Sequence, residues 1–220
     1  MRVPATQPSG LPARVRVKIC GLTRRDDALR AAELGADALG FVFAPRSRRR
    51  ADPKVVADIV RDLPPFVTAV GVFQDQPLEE VRSLVRECGL SLAQLHGSED
   101  AEYLRALDLP LLKAVSLNRR EDLAQLRRYP GERAFLLDTG TGGTGQTFDW
   151  AWAVEAGRTA RIVLAGGLTP DNVAEAVGRV HPWAVDCCSG TEASVGVKDP
   201  EKVRLFIERA NGVRDVRREA

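Results

Sequence analysis

The chain has 220 residues, 44% hydrophobic and 28% charged, with 32 Lys and Arg against 30 Asp and Glu and a formal net charge of +2. That apolar fraction excludes disorder of the whole chain, and the length suits one domain around one sizeable core. So small a charge gives no electrostatic ground for a nucleic-acid or anionic-membrane partner, and no run approaches the roughly 18 apolar residues of a membrane-spanning helix.

Residues 1–14 carry three Pro, a Gly and a Ser, and read as a mobile tail without the apolar region of a secretory signal. This points to a cytoplasmic protein. Residues 15–210 read as a single domain, and 211–220 as a C-terminal tail. Within the domain, short apolar or β-branched runs predict strands at Val15–Ile19, Ala38–Phe43, Val67–Phe73, Ala93–Leu95, Leu111–Val115, Ala134–Leu137, Ile162–Ala165 and Ala184–Cys187. Segments of helical period lie between them. Asp26–Leu34 follows Thr23 as N-cap, and the next helix opens at Pro53 behind Asp52. Pro77–Cys88 is amphipathic and stops at Gly89. Asp100–Leu107, Glu121–Arg128, Trp150–Ala156, Asp171–Val177 and Pro200–Ala210 complete the series. Eight strands alternating with eight helices imply right-handed βαβ units and a parallel sheet. An open doubly wound sheet usually has fewer strands, so the pattern predicts an α/β fold closed into a (β/α)8 TIM barrel.

Alternation along Val15–Cys20 puts the valines and Ile19 on one face and Arg16, Lys18 and Cys20 on the other. With the apolar face packed outward on helices, the second set faces the barrel interior. The same parity places Asp138 at the end of strand six and Asp186 with Cys188 on the last strand. Ionisable groups there are costly unless paired or functional, and barrel chemistry sits at the C-terminal ends of the strands. The four cysteines lack metal-site spacing and read as free thiols, with Cys88 and Cys187 as small buried hydrophobes.

Glycine clusters follow the last three strands: Gly142-Gly143-Thr144-Gly145, Gly166-Gly167 and Ser189-Gly190. Backbone amides in such loops cradle phosphate in this fold, although tight turns alone also use glycine. Elsewhere around the mouth, Cys20 is a base if a cation such as Lys18 lowers its pKa, or else core filler. Asp138 is a general acid if burial raises its pKa. One arginine of Arg46–Arg50 suits a substrate carboxylate, and parity does not choose which. His96 is a site residue or a hydrogen-bonded structural histidine. Asp186 pairs with Lys18 or contacts a ligand amine. Lys18 and Lys113 are the lysines placed for a Schiff base, though neither stands out.

Read together, Lys18-Ile19-Cys20-Gly21, Gly40-Phe41-Val42-Phe43 with Ser47-Arg48-Arg49, Gln94-Leu95-His96-Gly97, Leu137-Asp138-Thr139, Gly142–Gly145, Gly166-Gly167-Leu168 and Asp186 through Ser189-Gly190 to Glu192 resemble phosphoribosylanthranilate isomerase, from Val15 to Ile207. The resemblance implies an Amadori rearrangement of N-(5-phosphoribosyl)anthranilate in tryptophan biosynthesis, without metal or cofactor, in a monomer or homodimer. It implies Cys20 as general base and Asp138 as general acid. It further implies Arg49 on the substrate carboxylate, Asp186 near the anthranilate amine, His96 at the substrate, and phosphate on Gly143, Thr144, Gly166, Gly167, Ser189 and Gly190. One departure stands out: the family's D-V-S-S-G reads here Asp186-Cys187-Cys188-Ser189-Gly190. The expected consequence is confined to phosphate binding and leaves acid and base untouched. The rival readings are an indole-glycerol-phosphate synthase, a bifunctional sugar-phosphate isomerase, and a catalytically silent barrel that binds a phosphorylated ligand.

Overall fold

Each predicted strand forms, and their order explains the site. The computed structural model describes residues 14–132, 134–139 and 147–215. The strands are β1 (Arg16–Cys20), β2 (Ala38–Val42), β3 (Thr68–Phe73), β4 (Leu92–Leu95), β5 (Leu111–Ser116), β6 (Ala134–Asp138), β7 (Arg161–Leu164) and β8 (Ala184–Cys187). They pair in sequence order, all parallel, and β8 pairs back on β1 to close the barrel. A small antiparallel hairpin, β9 (Glu192–Ser194) and β10 (Val197–Lys198), follows β8.

The side chains divide as the alternation requires. Val15, Val17, Ile19, Phe135, Leu137, Val185 and Cys187 belong to the large cluster shared with the helices. Leu112, Ala114, Leu136, Val163, Ala165 and Ala184 form a second cluster inside the barrel. That interior cluster draws its residues from β5 to β8, so the β1 side of the interior is left to polar groups. Lys18 and Asp186, side by side in the β1–β8 register, form a buried ion pair there at 2.9 Å.

The helices are α1 (Arg25–Glu33), α2 (Pro53–Asp62), α3 (Leu78–Cys88), α4 (Ala101–Leu107), α5 (Trp150–Ala156), α6 (Val173–Val180) and α7 (Pro200–Asp215). The α2 start is as expected, with Asp52 accepting from the Lys54 amide and Pro53 in the first turn. Gly89 closes α3 in the left-handed conformation that glycine adopts most readily. Four details differ from expectation. Thr23 does not cap α1; its hydroxyl donates to the Gly196 carbonyl, and Arg24 takes the cap position. Where an α-helix was expected over Glu121–Arg128, a 3-10 helix forms over Arg120–Arg128. Its apolar residues Leu123 and Leu126, with Tyr129 after them, recur every third residue, which matches a helix of three residues per turn. The last helix runs on to Asp215, past the expected start of a tail at 211. Gly212 is the weakest helix former at its end, at a cost of about 1 kcal/mol that an existing helix absorbs. At the other end, Arg14 is anchored rather than part of a tail, with both terminal nitrogens on the Asp37 carboxylate.

Candidate active site at the C-terminal mouth of the barrel

Cys20 ends β1, and its sulfur sits in a notch left by glycine. A Cβ on Gly40, across on β2, would fall 2.7 Å from that sulfur and 3.0 Å from Lys18 Nζ. Gly40 thus lets two reactive groups occupy space that any other residue would fill. The thiol is buried but lowered to about 7. The largest cause is a hydrogen bond from the Cys188 thiol; burial opposes it, and the Lys18 ammonium adds to it. Burial works against the charge on Lys18 in turn, but Asp186 and Cys20 outweigh it and raise its pKa. Removing Asp186 would leave a buried ammonium unpaired, a change that costs about 3–5 kcal/mol.

Asp138 ends β6. Its carboxylate accepts the Thr139 amide at 2.7 Å and lies 3.6 Å from His96 Nε2. Burial raises its pKa, His96 opposes the rise, and the like charge on Asp186 adds to it. Burial holds the His96 imidazole below its ordinary value, with the Asp138 carboxylate acting the other way. His96 is therefore a neighbour of Asp138 at the mouth. In ring order β7 and β8 separate Asp138 from Cys20, so the two stand on different walls of one mouth.

Of the arginine run, Arg46, Arg48 and Arg50 are exposed, while Arg49 is half-buried. Its Nε donates to Glu192 Oε1 and its Nη2 to Glu192 Oε2, each at 2.7 Å. This fork raises the Arg49 pKa and, against burial, lowers that of Glu192. The edge of the guanidinium formed by Nη1 and Nη2 retains the geometry for a second carboxylate. Glu192 had no assigned role in the sequence; its fork with Arg49 depends on chain closure, while its contacts to the Gly196 amide and, at 3.6 Å, to Lys198 Nζ are local to the β9–β10 hairpin.

Gly166 and Gly167 follow β7 with φ of 78° and 67°. A Cβ on Gly166 would fall 2.8 Å from the Thr139 amide nitrogen and 3.0 Å from the Asp138 carboxylate, so this glycine joins the loop after β7 to the acid. Asn172 fixes the same loop, accepting from Thr169 N and donating to Gly167 O. Ser189 opens a short 3-10 turn, Ser189–Thr191, and a Cβ on Gly190 would collide with the Leu168 carbonyl oxygen. The loops after β7 and β8 are therefore packed against each other. Gly143 and Thr144 lie outside the described residues.

Three cysteine and lysine assignments are sharpened by the geometry. Cys88 and Cys187 are buried thiols with pKa values pushed up by burial, to about 11 and about 12. Lys113 points out of the barrel toward the helices, where it donates to Glu99 at 2.8 Å and to the Gly97 carbonyl at 2.6 Å. It is thereby removed from the mouth as a Schiff-base lysine and becomes a brace for the loop carrying His96. The Cys188 thiol is the largest influence lowering the Cys20 pKa, so this departure bears on Cys20 as well as on the loop after β8. No helix among the described residues is long and apolar enough to cross a membrane.

Comparison with known proteins agrees with this arrangement. The family described as N-(5'phosphoribosyl)anthranilate (PRA) isomerase matches residues 17–209. An N-(5'-phosphoribosyl)anthranilate isomerase of Citrifermentans bemidjiense is 50% identical over 202 residues, covering 90% of this chain and 98% of that protein. The crystal structure of phosphoribosyl anthranilate isomerase from Thermotoga maritima superposes with a TM-score of 0.84 at 42% identity, covering 90% of this chain and 99% of that one. A crystal structure of a phosphoribosyl anthranilate isomerase in complex with reduced 1-(o-carboxyphenylamino)-1-deoxyribulose 5-phosphate superposes with a TM-score of 0.81 at 40% identity, covering 90% and 99%. With a matching sequence over nearly the whole barrel and the same closed fold, the chain belongs to the N-(5'-phosphoribosyl)anthranilate isomerase family.

Proposed function

We propose that this chain converts N-(5-phosphoribosyl)anthranilate to 1-(2-carboxyphenylamino)-1-deoxyribulose 5-phosphate, an aldose–ketose isomerisation of tryptophan biosynthesis, with Asp138 as general acid and Cys20 as general base. The observation that carries it is the pair of opposed shifts at one mouth: a carboxyl raised toward its protonated form and a thiol lowered toward its thiolate. Membership of the family supports the substrate.

Asp138 protonates the furanose ring oxygen. The anthranilate nitrogen lone pair then expels it from C1′, leaving a protonated Schiff base. The Cys20 thiolate removes the C2′ proton, and the electrons of that bond move toward nitrogen. The resulting enolamine gains a proton at C1′ and gives up the proton of its C2′ hydroxyl, which becomes the ketone oxygen. Each proton is handled by a group whose pKa lies nearer neutrality than in water, where acid–base assistance is most effective. Asp186, already holding Lys18, stands beside this path and contacts the amine. His96 stands at the substrate next to Asp138. Gly166, Gly167, Ser189 and Gly190 hold the phosphate through backbone amides, with Gly143 and Thr144 on the loop after β6; the packed loops after β7 and β8 support this reading.

Arg49 receives the substrate carboxylate on the edge that Glu192 leaves open. Arg49→Lys keeps the charge that Glu192 needs and removes the fork. Loss of one charge-assisted hydrogen bond, about 2 kcal/mol, raises KM on the order of 30-fold with kcat little changed. An unchanged KM in steady-state assays removes the role.

The ionisation of Cys20 is measurable apart from turnover. Alkylation by iodoacetamide, mapped at Cys20, should rise with pH through about 7, because the thiolate is present above that value and lost below it. In Cys188→Ala the midpoint should move to higher pH, since the hydrogen bond that stabilises the thiolate most is gone. A midpoint that stays in place denies Cys188 this influence.

The function itself is tested by following the fluorescence of phosphoribosylanthranilate as purified protein consumes it. Binding of that substrate without turnover decides for the silent barrel instead.

A further inference from the structure

Cys20 ends β1 and Cys188 directly follows β8, at the join of the two strands that close the barrel. In the β1–β8 register, Lys18 lies beside Asp186 and Ile19 beside Cys187. Cys20 follows Ile19 at the end of β1, and Cys188 follows Cys187 just past the end of β8. Where the register ends, Cα atoms across the join are about 4.8 Å apart, and a disulfide spans roughly 4.4–6.8 Å. By strand parity Cys20 points into the mouth with Lys18, and the two thiols strongly shift each other's ionisation, Cys20 down and Cys188 up. Glycine holds both sulfurs in place. A Cβ on Gly21 would lie 2.6 Å from the Cys188 sulfur, and one on Gly40 would lie 2.7 Å from the Cys20 sulfur. The remaining thiols lie elsewhere: Cys187 donates outward to the Leu168 carbonyl at 3.1 Å, and Cys88 donates to the Pro53 carbonyl at 3.4 Å.

We propose that Cys20 and Cys188 are an oxidisable pair, in which a hydroperoxide oxidises Cys20 and Cys188 then closes a disulfide that stops turnover until a dithiol reopens it. In the first step the Cys20 thiolate attacks one peroxide oxygen and the O–O bond breaks. Cys20 becomes a sulfenic acid, and hydroxide leaves to be protonated to water. In the second step the Cys188 sulfur attacks the sulfenic sulfur. The S–O bond breaks, and the Cys188 proton leaves with the oxygen as a second water. The two sulfurs together lose two electrons and the peroxide gains them. A dithiol reverses the result by exchange. Without a second thiol in reach, the sulfenic acid is open to further oxidation to sulfinic acid, which dithiols do not reverse. The effect on turnover rests on Cys20 being the base; formation of the disulfide does not.

The test treats the purified full-length protein with hydrogen peroxide and follows intact mass, peptide map and isomerase activity. The wild type should lose two hydrogens in mass, with Cys20 and Cys188 joined and Cys88 and Cys187 still free. Activity should fall in step and return with dithiothreitol. Cys188→Ser, treated alike and compared with its own untreated activity, should gain oxygen at Cys20. Its recovery with dithiothreitol should be lower by on the order of tenfold. Sulfinic acid at Cys20 in the wild type, or a disulfide using another cysteine, overturns the pair and leaves the isomerase reading standing. A Cys20–Cys188 disulfide that forms while turnover continues confirms the pair and overturns Cys20 as base and the link to activity. The wild-type peptide map decides the pairing even if the variant fails to fold.

Discussion

Asp138→Asn should lower kcat by about 10²–10⁴-fold, the range for loss of one positioned acid or base, while substrate binding changes little. Asparagine keeps the shape of the side chain and an oxygen to accept the Thr139 amide, now 2.7 Å from the carboxylate. What it lacks is a proton to give to the ring oxygen. Ring opening, the first bond to break, is then left to water. The pH profile gives a second check. Wild-type turnover needs Asp138 protonated and Cys20 ionised, so two ionisations shape it. The residual activity of Asp138→Asn should depend on Cys20 alone, rising with pH through about 7 and staying level above it. Full activity in this variant, or an unchanged profile, removes Asp138 as the acid.

Cys20→Ala should lower kcat by a similar factor of about 10²–10⁴, for the opposite proton. Its binding of substrate or of a reduced product analogue should persist, because the carboxylate and phosphate contacts assigned above use other residues. Cys20→Ser should also be slow, since a hydroxyl beside Lys18 remains a far weaker acid than a thiol and supplies little anion near neutrality. The two alterations are not additive in the simple sense. With the acid gone the open-chain Schiff base hardly forms, so losing the base as well adds less than its own factor. Steady-state kinetics on the double variant, beside the two single ones, measure that shortfall; a product of the two factors argues for independent steps.

The strands were legible in the sequence because both periods were clean: alternation along Val15–Cys20 named the inward residues, and the structure has Lys18 and Cys20 at the mouth. The carboxylate at Asp138 was visible for the same reason, as a charge following four apolar residues. The 3-10 turn at Arg120–Arg128 was misread because Leu123 and Leu126 suit a period of three as well as one of 3.6 over so short a span. Thr23 looked like a cap because capping is local, and its partner Gly196 is 173 residues away. The same distance hid Glu192, whose forked contact with Arg49 spans 143 residues, and hid the meeting of Cys20 with Cys188. Lys113 was placed by its strand but not by its partner, since Glu99 comes from the loop after β4. Local pattern reports which way a side chain points; of the distant partners it suggested the Lys18–Asp186 pair, which forms, and left the others unseen.

The join between β1 and β8 brings together the two ends of the barrel, and with them Lys18 and Asp186, 168 residues apart in the chain. The activated thiol is therefore a property of the finished ring. In any intermediate where β8 has yet to dock, Cys20 has neither the Cys188 hydrogen bond nor the held ammonium, and it is an ordinary, sluggish thiol. Contacts between such remote segments form late, because loop closure over that length must precede them. Synthesis from the N-terminus makes β1 first and β8 nearly last, so the nascent chain keeps its nucleophile quiet until the last strand arrives to arm it.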